Sequence, residues 1–210
     1  MTEQLAVYPA SLLLRGRPVL VVGGGPVALR KVEGLLAAGA LVTVVAPDVC
    51  AGIEALADAG EAGGVRVERR RYRRGEVARY RLALTATGLP EVDRAVFEDG
   101  ERVGVFVNAA DDPAGCSFHV PAVVRRGAVT IAISTGGTSP ALAAWLRARI
   151  EDAVGPEYEL VAEVLGSTRA EARRQGVPTG TLDWDDLISR LLGAPAGGPA
   201  ATAASWLAGS

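Results

Sequence analysis

Several reactive side chains are scarce in this 210-residue sequence. It contains one histidine, His119, one lysine, Lys31, and two cysteines, Cys50 and Cys116. One histidine cannot form a three-histidine metal site, and two cysteines are too few for a disulfide scaffold. No tyrosine lies four residues before Lys31, which excludes the tyrosine–lysine pair of short-chain reductases. We therefore expect no metal ligands, and we interpret Cys116 and His119 as packing residues rather than a nucleophilic pair.

The sequence also lacks a strong excess of charge and long apolar runs. Its net charge is -2, with 22% charged and 49% hydrophobic residues, which is ordinary for a globular protein. This balance gives no support for a nucleic-acid partner, and no apolar run approaches the ~18 residues of a membrane span. The N-terminus carries Glu3 and no basic region, so it is not typical of a signal peptide. We expect a cytoplasmic protein without nucleic-acid or membrane partners.

Short apolar runs and helical patterns alternate along the first half of the chain. This alternation predicts an α/β fold with a Rossmann-like, doubly wound parallel sheet. The predicted strands span 18–22, 41–45, 65–68, 81–85 and 103–108, and the helices between them span 26–38, 50–59 and 91–99. Further along, the pattern predicts a short helix over 121–126, a strand over 129–134, and helices over 140–153, 157–175 and 183–192.

A glycine-rich segment connects the first predicted strand to the first helix. Gly23, Gly24 and Gly25 are followed by Pro26-Val27-Ala28, which fits the pattern G-x-G-x-x-A. The first glycine permits a sharp turn, the second lets the backbone approach a pyrophosphate, and the small last residue lets the helix pack on the sheet. Because the pattern lies between a strand and a helix, it predicts a dinucleotide site. A tight turn without a ligand is the alternative.

An acidic residue follows the second predicted strand, where Rossmann units bind the ribose hydroxyls. Asp48, after Ala46 and Pro47, is the candidate. No arginine lies between Ala46 and Gly52 to bind the 2′-phosphate of NADP, so the sequence favours NAD as the cofactor. Asp48 can also act as the cap of the following helix, and the two roles are compatible.

Two further segments carry a carboxylate and hydrogen-bond donors. Asn108 and Asp111 lie at the carboxyl end of a predicted strand, where open α/β sheets bind their ligands. Asp111 is a candidate general base, and the alternative is a turn aspartate ahead of Pro113. A second glycine-rich turn, between a strand and a helix, is typical of anion sites. Its residues are Ser134, Thr135, Gly136, Gly137 and Thr138.

Together these segments resemble the precorrin-2 dehydrogenase/sirohydrochlorin ferrochelatase family, the N-terminal module of sirohaem synthase. The resemblance is carried by GRPVLVVGGGPVALRKVEGLLAAGALVTVVAP and VNAADDPAGCSFHVPAVVRRGAVTIAISTGGTSPALAAWLRARIE, in that order. It implies a homodimer that oxidises precorrin-2 to sirohydrochlorin with NAD as hydride acceptor. Some members also insert iron into sirohydrochlorin, and for this chain iron insertion stays open.

The resemblance also assigns roles to particular residues. Asp111 matches the family's key aspartate, and Thr135, after Ser134, stands at the position of a serine. Two positions depart from the pattern, because Pro26 offers no side-chain hydrogen bond and Gly88 replaces a polar turn residue. The implied cofactor contacts outside the glycines are Pro26, Val27, Pro47, Asp48 and Thr87, and the implied substrate contacts are Asn108 and the five residues 134–138.

These assignments predict how the chain is divided. Residues 1–112 form a NAD-binding Rossmann domain, 113–153 a dimerisation and substrate segment, 154–193 a helical C-terminal region, and 194–210 a disordered tail. Since the chain ends at Ser210, we expect a separate uroporphyrinogen methyltransferase upstream in the pathway. The alternative function is a non-catalytic NAD-sensing Rossmann regulatory module. That alternative explains the first glycine turn and Asp48 but not the Asp111 segment or the second glycine-rich turn.

Overall fold

The computed structural model describes residues 7–59, 64–110, 112 and 115–193. Contacts within the chain divide it into two compact units, Met1–Val120 and Pro121–Ser210. The tail predicted at 194–210 lies outside the described residues, and the division into four segments stays a prediction.

A parallel sheet of five strands forms the centre of the first unit. Its order places the strand that begins at Val65 at one edge and the strand that begins at Phe106 at the other. The central strand is buried, since residues 19–22 are at most 2% exposed, as expected for a strand covered on both faces. The strands are β1 (Pro18–Val22), β2 (Leu41–Ala46), β3 (Val65–Arg69), β4 (Leu82–Thr85) and β5 (Phe106–Ala109), in the order β3-β2-β1-β4-β5.

Helices cover both faces of this sheet. They are α1 (Pro26–Ala37), α2 (Ala51–Asp58) and α3 (Pro90–Val103). Val32 of α1 and Ile53 of α2 pack in one hydrophobic cluster with alternate residues of β1, β2 and β4. Val96 of α3 packs in a second cluster with the strand residues that alternate with those of the first cluster, among them Leu20. The predicted doubly wound Rossmann-like sheet is therefore confirmed.

Two details of the first unit differ from the prediction. The strand predicted over 103–108 starts later, because α3 continues to Val103 and β5 begins at Phe106. Gly104 separates them in the left-handed region at φ 72°, the conformation in which helices commonly end. A short 3-10 helix at Glu76–Arg79 was not predicted; it inserts Val77, which is fully buried, into the core.

The second unit begins with an antiparallel hairpin. The prediction of a helix over 121–126 is wrong, since β6 (Ala122–Arg126) pairs with β7 (Val129–Ile133). Gly127 has a φ of 52°, which glycine adopts at little cost and which two-residue hairpin turns require. The adjacent Val123 and Val124 are β-branched and favour the extended conformation. The strand predicted over 129–134 is confirmed.

The remaining helices follow the prediction. They are α4 (Pro140–Ala153), α5 (Glu157–Arg174) and α6 (Trp184–Gly193). Ser139 caps α4, because its side chain accepts a hydrogen bond from the Leu142 N–H at 3.2 Å. A hydrophobic cluster that includes Val161 and Leu187 joins α5 to α6. Across the ranges that the structure describes, none of the helices is long and apolar enough to span a bilayer.

Candidate functional site

The turn after β1 is shaped by two glycines that pack against neighbouring backbone. Gly23 has a φ of 124°, and a Cβ on it would collide with the carbonyl of Ala86 after β4. A Cβ on Gly24 would collide with the carbonyl of Asp48 after β2. The Cys50 N–H also donates to the Gly24 carbonyl at 2.8 Å. The turn is thus packed against the ends of both strands that flank β1.

Gly25 differs because its side-chain position is open. A Cβ there would meet no heavy atom within 4 Å. Gly25 is also the N-cap of α1, which has no side-chain cap and no acidic residue in its first turn. The first intrahelical bond runs from the Leu29 N–H to the Gly25 carbonyl at 3.0 Å. The N–H group of the exposed Val27 precedes that bond, so an anion can approach it.

These features fit the pyrophosphate of a dinucleotide. The open space at Gly25 is where the pattern requires close approach of the ligand, and Ala28 is fully buried against the sheet. Pro26 has no N–H, so Val27 carries the donor role in the first turn. Pro26 and Val27 are exposed at this end of α1, as are Pro47 and Asp48 after β2.

Thr87 lies in the turn between β4 and α3. Its hydroxyl accepts a hydrogen bond from the Leu89 N–H at 3.0 Å and donates to Asp93 Oδ1 at 2.7 Å. Asp93 is buried in the first turn of α3. The Thr87 side chain therefore holds the start of α3, and any contact with the cofactor falls to its backbone.

Asn108 is also held by contacts within the protein. Its Oδ1 accepts a hydrogen bond from Lys31 Nζ at 2.8 Å, and its Nδ2 donates to the Phe118 carbonyl at 3.0 Å. The amide joins the single lysine, on α1, to the end of β5 and to the chain that returns beside it, where Asn108 bridges Cys116. Sequence reasoning missed this role of Lys31, and no local pattern around residue 31 indicates it.

The loop after β5 brings a carboxylate and a thiol together. Asp112 accepts the Gly115 N–H on its backbone carbonyl at 3.1 Å, and its Oδ2 lies 3.9 Å from Arg94 Nη2. The Cys116 thiol donates to the carbonyls of Ala109 and Asp112, both at 3.3 Å. Burial raises the pKa of Cys116, which disfavours the thiolate that a nucleophile requires. Asp111, the predicted base, lies outside the described residues.

The second glycine-rich turn is stabilised mainly by its own hydrogen bonds. Thr135 Oγ1 accepts the Ser139 N–H and donates to the Ser139 carbonyl, both at 3.1 Å. Ser134 Oγ accepts the Gly136 N–H at 3.2 Å. Gly136 and Gly137 have φ values of 61° and 80°. The hydroxyls of Ser134 and Thr135, predicted to bind substrate, thus shape the turn, while Gly137 and Thr138 are exposed.

Three arginines of the hairpin and α4 have partners within the second unit. Arg126 donates to the carbonyls of Glu151 and Val154 at 2.9 and 2.8 Å. Arg147 pairs with Glu151 at 2.6 Å, and Arg149 lies over the ring of Trp145 at 4.7 Å. These contacts stabilise α4 and its end. Among the described residues, no group of three His, Cys, Asp or Glu side chains could hold a metal ion.

A Rossmann sheet with an uncapped, open glycine turn defines a dinucleotide-binding protein. A family described as "Putative NAD(P)-binding" matches residues 11–122, more than half of the chain. A second, described as "Sirohaem biosynthesis protein central", matches residues 126–153. The chain belongs to this NAD(P)-binding family, and its residues 126–153 match the family of sirohaem biosynthesis proteins. The predicted family and the predicted nicotinamide dinucleotide cofactor are thereby confirmed.

Individual proteins agree with the family match. The siroheme synthase of Methylococcus capsulatus is 41% identical over 81% of this chain and 35% of its own length. That of Methylobacillus flagellatus is 37% identical over 90% of this chain and 40% of its own length. The chain thus spans little more than a third of these relatives. A solved structure named "SirC, precorrin-2 dehydrogenase" is 27% identical, with a TM-score of 0.75 over 97% of this chain and 98% of that one.

Proposed function

We propose that the chain is a NAD-dependent precorrin-2 dehydrogenase, which oxidises precorrin-2 to sirohydrochlorin. The observation that carries the proposal is the full-length similarity to a precorrin-2 dehydrogenase, which extends from the glycine turn to the C-terminal helices. The siroheme synthases in turn match the chain over about the same part of its sequence. The geometry of the glycine turn supports the cofactor half of this proposal.

Each part of the dinucleotide has a candidate partner in the first unit. The N–H group of Val27, together with Gly25, binds the pyrophosphate, and Asp48 accepts hydrogen bonds from the ribose hydroxyls. The bound NAD supplies the ring that accepts the hydride. The carboxyl ends of β4 and β5, with Thr87 and Asn108, continue the same edge of the sheet. This edge is where precorrin-2 must approach the cofactor.

We assign the proton transfer to Asp111. Its neighbour Asp112 folds its carboxylate toward Gly115, since a Cβ on Gly115 would lie 2.8 Å from Asp112 Oδ2. Asp112 therefore suits a turn aspartate, and Asp111 is left as the base or as the carboxylate that orients the ring nitrogens. Asn108 acts through Lys31 and Phe118 to position this loop rather than through direct substrate contact. If iron is inserted as well, Asp111 is also the candidate acceptor for the protons that leave the macrocycle.

In the second unit, we assign substrate binding to residues 134–138. Precorrin-2 carries carboxylates, and a glycine-rich turn with exposed residues such as Gly137 and Thr138 is a candidate for binding such anions. We propose a homodimer, as the resemblance implies, and a separate uroporphyrinogen methyltransferase that supplies the substrate.

The role of Asp111 is tested by comparing Asp111→Ala with Asp112→Ala under anaerobic conditions. We expect Asp111→Ala to bind NAD with wild-type affinity and to lose NADH formation from precorrin-2 by about 10² to 10⁴-fold, the usual contribution of a general base. Asp112→Ala should stay within a few-fold of wild type. Turnover of Asp111→Ala within a few-fold of wild type would make Asp111 a structural residue.

A further inference from the structure

The pairing of β2 with β3 places an arginine beside the ribose end of the dinucleotide site. Arg69, the last residue of β3, is in register with Ala46, the last residue of β2. The next N–H, that of Arg70, donates to the Ala46 carbonyl at 3.1 Å. Asp48 follows Ala46 by two residues. The linear sequence around Asp48 contains no arginine, so only the sheet register brings this guanidinium close.

Arg69 is already bound to a carboxylate. Its Nη2 lies 2.6 Å from Oε1 of Glu54, in the first turn of α2. That helix begins three residues after Asp48, so Asp48, Glu54 and Arg69 all lie around the loop that joins β2 to α2. The two side chains of the pair are 55% and 47% exposed. An exposed pair of this kind contributes little to stability, so either side chain can be replaced without unfolding the protein.

Arg70, the next residue along the chain, is less available. Arg70 is held by both Glu68 and Glu76, with Nε 2.9 Å from Glu68 Oε2 and Nη1 2.9 Å from Glu76 Oε1. A guanidinium bound by two carboxylates gains little from a third anion. Arg69, with one carboxylate partner, is the better candidate for a phosphate.

We infer that the Arg69–Glu54 ion pair sets the preference of this site for NAD over NADP. Glu54 occupies the guanidinium that would otherwise bind the 2′-phosphate, and with Asp48 it surrounds that position with negative charge. A phosphate brought there is repelled by two carboxylates and finds its natural partner engaged. NAD carries no 2′-phosphate, so its affinity for the site is not affected. The inference rests on the proposed dinucleotide site but not on the proposed oxidation of precorrin-2.

The test measures dissociation constants of NAD and NADP by calorimetry for four proteins. These are wild type, Glu54→Gln, the double variant Glu54→Gln/Arg69→Gln, and Glu98→Gln as a matched control. Glu98 pairs with Arg74, and these side chains are 51% and 54% exposed, so its substitution breaks an equally exposed pair on another helix. We expect Glu54→Gln to bind NADP about tenfold more tightly, with NAD affinity changed less than about twofold. Glu98→Gln and the double variant should bind NAD and NADP with the affinities of the wild type.

Several results would overturn the inference. One is a ratio of NADP to NAD affinity that stays within about twofold of wild type in Glu54→Gln. A second is an equal gain in Glu98→Gln, which would indicate a general effect of net charge. A third is a gain in NADP affinity that persists in the double variant, which would indicate that another arginine binds the 2′-phosphate. Failure of the wild type to bind either dinucleotide would overturn the cofactor site as well, whereas binding without turnover would affect only the proposed activity.

Discussion

The three glycines of the turn after β1 have different physical roles. Gly23 and Gly24 are required by the protein's own backbone, because a Cβ on either would collide with a neighbouring carbonyl. Gly25 has a φ of -84°, which any residue can adopt, and it has open space at its Cβ position. The protein's own packing therefore does not require glycine at position 25, whereas close approach of a ligand to this backbone does.

This difference predicts the behaviour of Gly25→Ala. The variant should fold with wild-type stability and lose about tenfold or more in NAD affinity, since a methyl group would block the close approach of the pyrophosphate. Gly34→Ala is the matched control, because Gly34 is an exposed glycine on α1 that also has open space. It should gain about 0.5 to 1 kcal/mol in unfolding free energy and keep its NAD affinity. Unchanged binding of NAD by Gly25→Ala would place the pyrophosphate elsewhere.

Asp99 illustrates a buried charge that is well compensated. Its side chain is fully buried on α3, where it accepts hydrogen bonds from the Tyr72 hydroxyl at 2.9 Å and the Gly75 N–H at 2.7 Å. Arg74 and Arg102 each lie 3.0 Å from its Oδ1. Burial alone would raise the pKa of Asp99, but these donors and cations together hold it below the ordinary value. The same burial and the bond to Asp99 raise the pKa of Tyr72.

The depressed pKa of Asp99 gives a stability prediction with a definite pH dependence. The ionised form is favoured in the folded state, so its stabilisation is complete above the ordinary pKa of about 3.9 and is lost as the pH falls through the lower folded value. Asp99→Asn should cost about 2 to 4 kcal/mol at pH 7, and the difference from wild type should narrow below about pH 4. Urea unfolding at several pH values measures this, with Glu98→Gln as an exposed control. A difference that does not change with pH would contradict the assignment.

At the scale of elements, the sheet and most helices could be predicted because their patterns are local. Buried parallel strands are continuous apolar runs, and Ser139-Pro140 marks the start of α4 in the sequence itself. The hairpin over 122–133 could not be recognised from residues 121–126, because a run of that length fits a short helix or a strand. The turn at Gly127 and the pairing with β7 decide between them, and pairing is not a local property.

In the candidate site, too, only the features that are local in the sequence could be predicted. The glycine turn and Asp48 are contiguous with their strands, so their positions follow from the βαβ pattern. The contacts of Lys31 with Asn108 and of Glu54 with Arg69 join residues 77 and 15 positions apart. Such contacts depend on which strands are neighbours in the sheet. They could be identified only after the strand order was known.

Besides their hydrophobic contacts, the hairpin and α4 are joined by the side chain of Arg126, and this predicts a stability effect. Arg126, on β6, donates to two carbonyls at the C-terminal end of α4, where a positive charge also favours the helix dipole. Arg126→Ala should therefore lower the unfolding free energy by about 1 to 3 kcal/mol. The adjacent Arg125 is exposed, so Arg125→Ala should change it by no more than about 0.5 kcal/mol. Equal effects of the two substitutions in chemical denaturation would contradict this role.

At the scale of the whole molecule, the chain combines an NAD(P)-binding domain with a segment, residues 126–153, that matches the sirohaem biosynthesis family. The first unit alone, with residues 11–122 in an NAD(P)-binding family, is also compatible with a sensor of NAD. The match of residues 126–153 to the sirohaem family favours an enzyme instead. The same holds for the similarity to a precorrin-2 dehydrogenase along nearly the whole chain.

The most direct test of the proposed dehydrogenase is an anaerobic assay of the purified chain with precorrin-2 and NAD. Absorbance follows NADH and sirohydrochlorin together, and calorimetry on the same sample measures NAD binding. The account predicts that both products appear in equal amounts and that neither forms without NAD. Intact folding and NAD binding without any formation of NADH would contradict it, and would favour a regulatory module that senses NAD.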